Sequence, residues 1–259
     1  MNHYAKKKFG QNFLTDKNIL KKIVSEAQID QKHVIEIGPG LGSLTHFIAS
    51  QAKQVIAYEI DQSLKPFLDR LEEDHPNLRM VYQDFLEADL NKEETWHVVA
   101  NIPYYITTPI IFKILETPNI QSATLMIQKE VMERLVAKPN TKAYNALSIL
   151  IQYQTDIKKV MDVKRHLFQP APHVDSAVIR MVKKNTPMSD HQSHVFYRWI
   201  KEAFRQKRKT LMNNLHQAYQ LPKGDIEKKL IESGFNSDVR AEALSLDEFI
   251  LLFGVFHHD

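Results

Sequence analysis

The stretch that decides the fold is His33–Gly42, which reads HVIEIGPGLG. Its first five residues form a short apolar run that is typical of a buried strand, and a helical pattern begins directly after it. Three of the 7 glycines in the chain lie in its last five positions, at Gly38, Gly40 and Gly42. A strand, a tight turn and a helix in this order let the backbone approach a nucleotide-like ligand closely. The stretch therefore predicts an α/β fold with a ligand site at the turn.

A carboxylate stands where such a site would hold a ribose. Glu59 lies 21 residues after Gly38, at the end of an apolar run that starts at Gln54, and it can accept two hydrogen bonds from a ribose diol. In a dinucleotide fingerprint the third glycine comes three residues after the second, whereas here Gly42 comes one residue early and Ser43 takes the expected place. S-adenosylmethionine carries no phosphate and is commonly bound by Glu-x-Gly-x-Gly-x-Gly turns. The spacing therefore favours a methyltransferase over a nicotinamide-dependent oxidoreductase.

Strand-like apolar runs alternate with helical patterns through the first two thirds of the chain. We predict strands near 33–37, 54–59, 79–82, 96–100, 122–127, 157–163 and 174–182. This alternation is typical of a Rossmann-like α/β domain with a mainly parallel sheet covered on both faces. Gly38, Glu59, Asp84 and Asn101 each follow a predicted strand. We expect them to meet at the carboxyl edge of the sheet.

The pattern changes near residues 183–192, where a polar stretch resembles a linker. Beyond it the periodicity predicts only helices, over 195–216, 223–233 and 246–253. We therefore expect two domains: an α/β domain over 1–184 and a small all-α domain over 185–259.

Composition is typical of an intracellular enzyme. The chain has no cysteine, which excludes disulfides, thiolate metal sites and a cysteine nucleophile. Residues 1–8 lack the apolar core of a signal peptide, and no run of eighteen apolar residues occurs, so we expect a cytoplasmic protein without a membrane partner. The 12 histidines show no metal-ligand spacing, and we expect no metal.

A second motif, Asn101-Ile102-Pro103-Tyr104, follows the predicted strand 96–100. It places a planar amide, a fixed proline turn and an aromatic ring at the end of that strand. Such a set suits a flat base that carries an amino group, and it indicates chemistry on adenine.

Positive charge is concentrated in residues 195–216, where six Lys or Arg residues accompany Glu202 alone. On a continuous helix, four of them would share one face at spacing i, i+4, i+7 and i+8: Lys201, Arg205, Arg208 and Lys209, with Lys207 alongside. Beside a motif for adenine, this predicts a surface that docks RNA. The basic segment Lys6-Lys7-Lys8 is the alternative docking element.

Six ordered motifs resemble those of the ribosomal RNA adenine dimethyltransferases, from about residue 5 to residue 253. They are FGQNFL at 9–14, EIGPG at 36–40, NIPYYITTP at 101–109, QKEVMERL at 128–135, FQPAP at 168–172 with VDSAV at 174–178, and RKTL at 208–211. Thr108-Pro109, QKEV and Lys142-Ala143-Tyr144 resemble the small-subunit type more than the macrolide-resistance methylases of large-subunit rRNA. Tyr105 and Asn145 stand where asparagine and glycine are common, which affects the rim of the pocket.

The resemblance implies a class I methyltransferase that uses S-adenosylmethionine to dimethylate N6 of two adjacent adenines near the 3′ end of 16S rRNA. It implies a monomer that acts on the immature 30S subunit during ribosome biogenesis. The alternatives are a methyltransferase of 23S rRNA and a non-catalytic RNA-binding assembly factor.

The resemblance also assigns the site residues. A cofactor-covering segment, residues 1–30, would contribute Asn12 and Leu14, with the remaining cofactor contacts at Gly38, Gly40, Glu59, Asp84 and Asn101. Asn101 and the Ile102 carbonyl would hold the amine of the target adenine. Tyr104 would stack on one face of the base and Phe168 on the other.

Overall fold

A computed structural model describes residues 11–90 and 93–257 of the chain. The segment Lys6-Lys7-Lys8 and the first ten residues of the cofactor-covering segment lie outside the described residues. The strands are β1 Phe13–Leu14, β2 His33–Ile37, β3 Gln54–Tyr58, β4 Leu78–Val81, β5 Trp96–Asn101, β6 Ile120–Gln128, β7 Thr155–Val163, β8 Phe168–Gln169 and β9 Ser176–Lys183. The helices are α1 Lys17–Ala27, α2 Ser43–Ala49, α3 Lys65–Asp74, α4 Thr107–Glu116, α5 Lys129–Leu135, α6 Ala146–Gln154, α7 Asp190–Ala203, α8 Leu211–Tyr219, α9 Lys223–Glu232 and α10 Leu246–His257.

A mainly parallel sheet forms the centre of the α/β unit, with the strand order β4-β3-β2-β5-β6-β9-β7. β4, β3, β2, β5 and β6 run parallel, and β9 runs antiparallel to β6. Val34, Val55 and Val99 on the central strands are fully buried, because a parallel sheet is normally covered on both faces. All seven predicted strands are confirmed, with boundaries that differ by no more than two residues.

A small second sheet was not predicted. β1 pairs with β8 in antiparallel register, Phe13 opposite Gln169 and Leu14 opposite Phe168. Each strand has only two residues, too few for an apolar alternation to show in the sequence. This pairing fixes the start of the described chain beside the glycine turn.

The chain divides into two compact units. The first contains the residues up to Met132 together with Asp156–Lys183, and the second contains Glu133–Thr155 together with the residues from Lys184 onward. The C-terminal break therefore falls beside the boundary expected between 184 and 185, while Glu133–Thr155 joins the helical unit. No helix in the described ranges is long and apolar enough to cross a membrane.

The predicted helix over 195–216 is wrong, because the structure has two helices there. α7 ends at Ala203 and α8 begins at Leu211, with an irregular loop over 204–210 between them. The hydroxyl oxygen of Thr210 accepts a hydrogen bond from the Asn213 N–H at 3.2 Å, as the cap of a new helix does.

Asn214 stabilises the same break from inside the helical unit. Its side-chain Nδ2 donates to the carbonyl oxygens of Ala203 at 2.7 Å and Gln206 at 3.2 Å. The last carbonyls of a helix lack helical partners, and the Ala203 carbonyl at the end of α7 finds one in Asn214, which also binds the loop through Gln206. Because apolar residues keep a helical spacing across the break, the sequence pattern hid it.

Candidate cofactor and adenine site

A cavity opens at the carboxyl ends of β2, β3 and β5, within the α/β unit. Parallel strands bring the residues that follow them to one edge, so the sheet itself assembles this lining. Seven residues assigned to the cofactor line it: Asn12, Leu14, Gly38, Gly40, Glu59, Asp84 and Asn101. The structure thus brings the whole set together from five separate segments of the chain.

The glycine turn has a backbone that side chains would strain. Gly38, Gly40 and Gly42 have φ values of +67°, +59° and +82°, a region that residues with a Cβ rarely adopt. A Cβ on Gly40 would lie 2.8 Å from Cε1 of Phe13, and one on Gly42 would lie 2.5 Å from Cδ2 of Leu71. Gly40 therefore makes room for β1 above the turn, while Gly42 makes room for α3 behind it.

Glu59 ties the turn to the end of β3. Its Oε2 accepts from the Gly40 N–H at 3.2 Å, and its Oε1 accepts from the Asp61 N–H at 2.8 Å. Burial raises the pKa of Glu59, and these backbone hydrogen bonds oppose the increase. A carboxylate has about four acceptor positions, so both oxygens can still accept from a diol.

Glu36 is a buried acid at the start of the EIGPG motif, and the sequence pattern alone assigned it no role. It is 1% exposed and lines the cavity. Burial raises its pKa to about 8, and the neighbouring Glu59 carboxylate adds to the increase. Its Oε2 has no hydrogen-bond partner among the described residues. The sequence feature that could have identified Glu36 is an ionisable residue inside an otherwise apolar strand. At neutral pH we expect the Glu36 carboxyl group to be protonated.

The amide of Asn101 is held in one orientation by the covering segment. Its Nδ2 donates to the carbonyl oxygen of Asn12 at 3.1 Å. This contact leaves the Oδ1 atom to accept a hydrogen bond at the cavity. Next to it, the buried Ile102 donates its N–H to the Met126 carbonyl at 3.1 Å, which fixes the chain where it enters Pro103.

Asp84 and Tyr105 lie at the cavity beyond Glu59. One oxygen of Asp84, Oδ1, accepts from the Leu86 N–H at 2.8 Å and caps a short 3-10 helix, Phe85–Glu87. The other oxygen can serve a ligand. Tyr105 lines the cavity and is 60% exposed, so an aromatic ring stands at the rim.

Tyr104 and Phe168 do not line the cavity. The hydroxyl of Tyr104 forms a 2.7 Å hydrogen bond with the Ser176 hydroxyl, and burial raises its pKa. Phe168 is 5% exposed and packs in the hydrophobic core of the α/β unit. The structure therefore does not bring Phe168 to a position where its ring could face a base in the cavity.

The basic residues do not form the predicted helical stripe. Lys201 is in the last turn of α7, whereas the other four are in the loop 204–210: Arg205, Lys207, Arg208 and Lys209. All five side chains are exposed. No group of three or more His, Asp or Glu residues that could hold a metal is found within residues 11–90 and 93–257.

Comparisons with known proteins identify the family to which the chain is similar. A family model described as ribosomal RNA adenine dimethylase matches residues 2–258. A ribosomal RNA small subunit methyltransferase A from Onion yellows phytoplasma is 49% identical over 96% of this chain and 95% of that protein. One of the same name from a Geobacillus strain is 45% identical over 98% of this chain and 92% of that protein.

Two solved structures share the fold over nearly the whole chain. The 23S rRNA methyltransferase ErmE has a TM-score of 0.78 at 29% identity and covers 94% of this chain and 99% of its own. A dimethyladenosine transferase from Plasmodium falciparum also has a TM-score of 0.78, at 27% identity, and covers 93% of this chain and 95% of its own. The expected methyltransferase fold is thereby confirmed, and the chain belongs to the ribosomal RNA adenine dimethylase family.

Proposed function

We propose that this chain transfers methyl groups from S-adenosylmethionine to N6 of two adjacent adenines near the 3′ end of 16S rRNA. The observation that carries the proposal is the Asn101 amide, fixed by Asn12 at the edge of a cavity that also contains Glu59. The immature 30S subunit is the proposed partner, and the enzyme acts as a cytoplasmic monomer in ribosome biogenesis.

The cavity suits a nucleoside that carries an amino-acid chain. Glu59 offers acceptors for ribose hydroxyls, and Asp84 offers one for an adenine amine. Gly38 and Gly40 leave the turn without side chains, so a ligand can lie against the backbone there. When bound, S-adenosylmethionine supplies an activated methyl group on a sulfonium.

The residues after β5 prepare the target nitrogen. The lone pair of an exocyclic adenine amine is delocalised into the ring, which makes the amine a poor nucleophile. Two acceptors, Asn101 Oδ1 and the Ile102 carbonyl, would hold its N–H groups and favour a pyramidal nitrogen. Pro103 restricts the backbone beside them. Most of the acceleration would then come from alignment and fixed dipoles, without a strong base.

Tyr104 is the proposed stacking partner of the target base. Its hydrogen bond to Ser176 fixes the hydroxyl end of the ring, which lowers the entropy lost when a base stacks on it. Phe168 would have to leave its buried position to reach the other face. The exposed basic residues of the loop 204–210 and Lys201 would contact rRNA phosphates.

Methyl transfer from labelled cofactor to separated ribosomal subunits tests the proposal, with the modified nucleotide identified by mass spectrometry. We expect dimethyladenosine in the immature small subunit. Label in the large subunit would instead indicate the activity named for ErmE.

Asn101→Ala should reduce transfer by roughly 100-fold or more, the usual scale for removing one preorganised polar group from a site. Asn119→Ala is the matched control, since Asn119 is half-buried and immediately precedes β6, at the opposite edge of the sheet, where its side chain donates to the Glu94 carbonyl at 3.4 Å. An Asn101 variant as active as the Asn119 variant would exclude the proposed role of the amide.

A further inference from the structure

Two loops from distant parts of the sequence lie side by side in the helical unit. One is the loop 136–145, between α5 and α6, and the other is the loop 204–210. The Nζ of Lys207 donates to the carbonyl oxygen of Lys142 at 3.2 Å, and the ring centroids of Tyr144 and Phe204 are 6.0 Å apart. The contacts join the two loops.

The first loop is held in place by its backbone and by buried side chains. The N–H of Asn140 donates to the Glu242 carbonyl at 2.8 Å, and the hydroxyl of Tyr144 donates to the Leu244 carbonyl at 2.7 Å. Nε2 of Gln152 donates to the Ala137 carbonyl at 2.9 Å. The loop therefore has a fixed shape, while its lysines, Lys138 and Lys142, remain exposed.

Charge on the joined loops is strongly positive. Six exposed cations belong to them: Lys138, Lys142, Arg205, Lys207, Arg208 and Lys209. Two carboxylates offset part of this charge, Glu202 at 3.2 Å from Arg205 and Glu242 at 3.9 Å from Lys207. Within the described ranges no carboxylate pairs with the other four cations, so repulsion between them is relieved by solvent or by an anionic partner.

We infer that these six residues form one two-loop basic surface that binds the phosphate backbone of rRNA, with Lys138 and Lys142 as contacts that the sequence pattern does not reveal. The inference rests on the proposed function for its partner. A fixed loop backbone presents the lysines without further ordering of the chain. Lysines act as point charges toward phosphate, so the surface would set the position of the RNA and leave its bases unread.

The test is a double variant, Lys138→Ala with Lys142→Ala, in the full-length protein. Binding to a transcript of the 3′ region of small-subunit rRNA is measured over a series of KCl concentrations. Loss of two phosphate contacts should weaken binding and flatten the log–log salt slope by up to about 0.9 per contact. Affinity for S-adenosylmethionine should stay unchanged, since neither lysine lines the cavity.

The matched control is Lys223→Ala with Lys228→Ala, which removes the same charge from exposed positions on α9 of the same unit. If the loop variant has the slope of the parent, or only the change seen in the control, the two-loop surface is refuted. Methyl transfer by the parent protein distinguishes failure of the proposed function from failure of the two-loop basic surface. If the parent methylates no rRNA, the proposed function is refuted. If the parent is active but the salt slope does not change when Lys138 and Lys142 are replaced, only the two-loop basic surface is refuted.

Discussion

Replacing Glu36 with Gln should make the stability of the protein less dependent on pH. Glu36 has a pKa of about 8 in the folded protein, against an ordinary value of 4.5. Between these values the folded state binds more protons than the unfolded state, so the free energy of unfolding falls as pH rises. The slope is about 1.4 kcal/mol per pH unit and becomes smaller as the pH approaches the folded pKa. Through this group the free energy of unfolding of the parent should therefore fall by about 2 kcal/mol between pH 6 and pH 8.

Urea unfolding at pH 6 and pH 8 measures the effect. The Glu36→Gln variant keeps a neutral side chain of similar shape that cannot ionise in the unfolded chain, so its advantage in stability over the parent should grow by about 2 kcal/mol from pH 6 to pH 8. Glu116→Gln is the control, because Glu116 is exposed at the end of α4. If parent and Glu36→Gln show the same change between the two pH values, Glu36 is not protonated in the folded protein and the reasoning fails.

Two further variants test the turn and the second loop. Gly40→Ala, with φ of +59° and a Cβ at 2.8 Å from Phe13, should cost about 1–2 kcal/mol of stability and weaken cofactor binding in calorimetry. A Cβ added at Gly224 would have no atom within 4 Å, so Gly224→Ala should be neutral or stabilising. Equal effects of Gly40→Ala and Gly224→Ala would contradict the proposed steric clash between a Cβ at Gly40 and Phe13. Changing Arg205, Arg208 and Lys209 together to Ala should flatten the salt slope of rRNA binding by up to about 0.9 per lost contact. An unchanged slope would favour Lys6-Lys7-Lys8 as the docking element.

The sheet could be predicted from the sequence because its evidence is local. Each central strand is a short apolar run, and each is followed by a polar residue or a glycine. In a parallel sheet those residues must meet at one edge, so the order of the runs alone predicts the cavity. For this reason the sequence could predict that four residues lie at the same edge of the sheet: Gly38, Glu59, Asp84 and Asn101.

The features that escaped prediction depend on contacts between distant residues. The loop 204–210 exists because Thr210 and Asn214 stabilise a break that the apolar spacing does not mark. The neighbourhood of Lys142 and Lys207 depends on how two loops fold against each other. The raised pKa of Glu36 depends on the complete burial of its side chain, which the spacing of the glycines in the motif does not predict.

The pairing of β1 with β8 has a consequence for how the protein matures on the ribosome. Leu14 is made early in synthesis, but its partner Phe168 is made only after the first six strands of the main sheet. Closing so long a loop slows folding more than it reduces stability. A nascent chain that ends before Phe168 would therefore lack the strand pairing that holds β1 above the glycine turn. We expect cofactor capture to begin only once β8 has emerged, so that an unfinished enzyme does not retain the methyl donor.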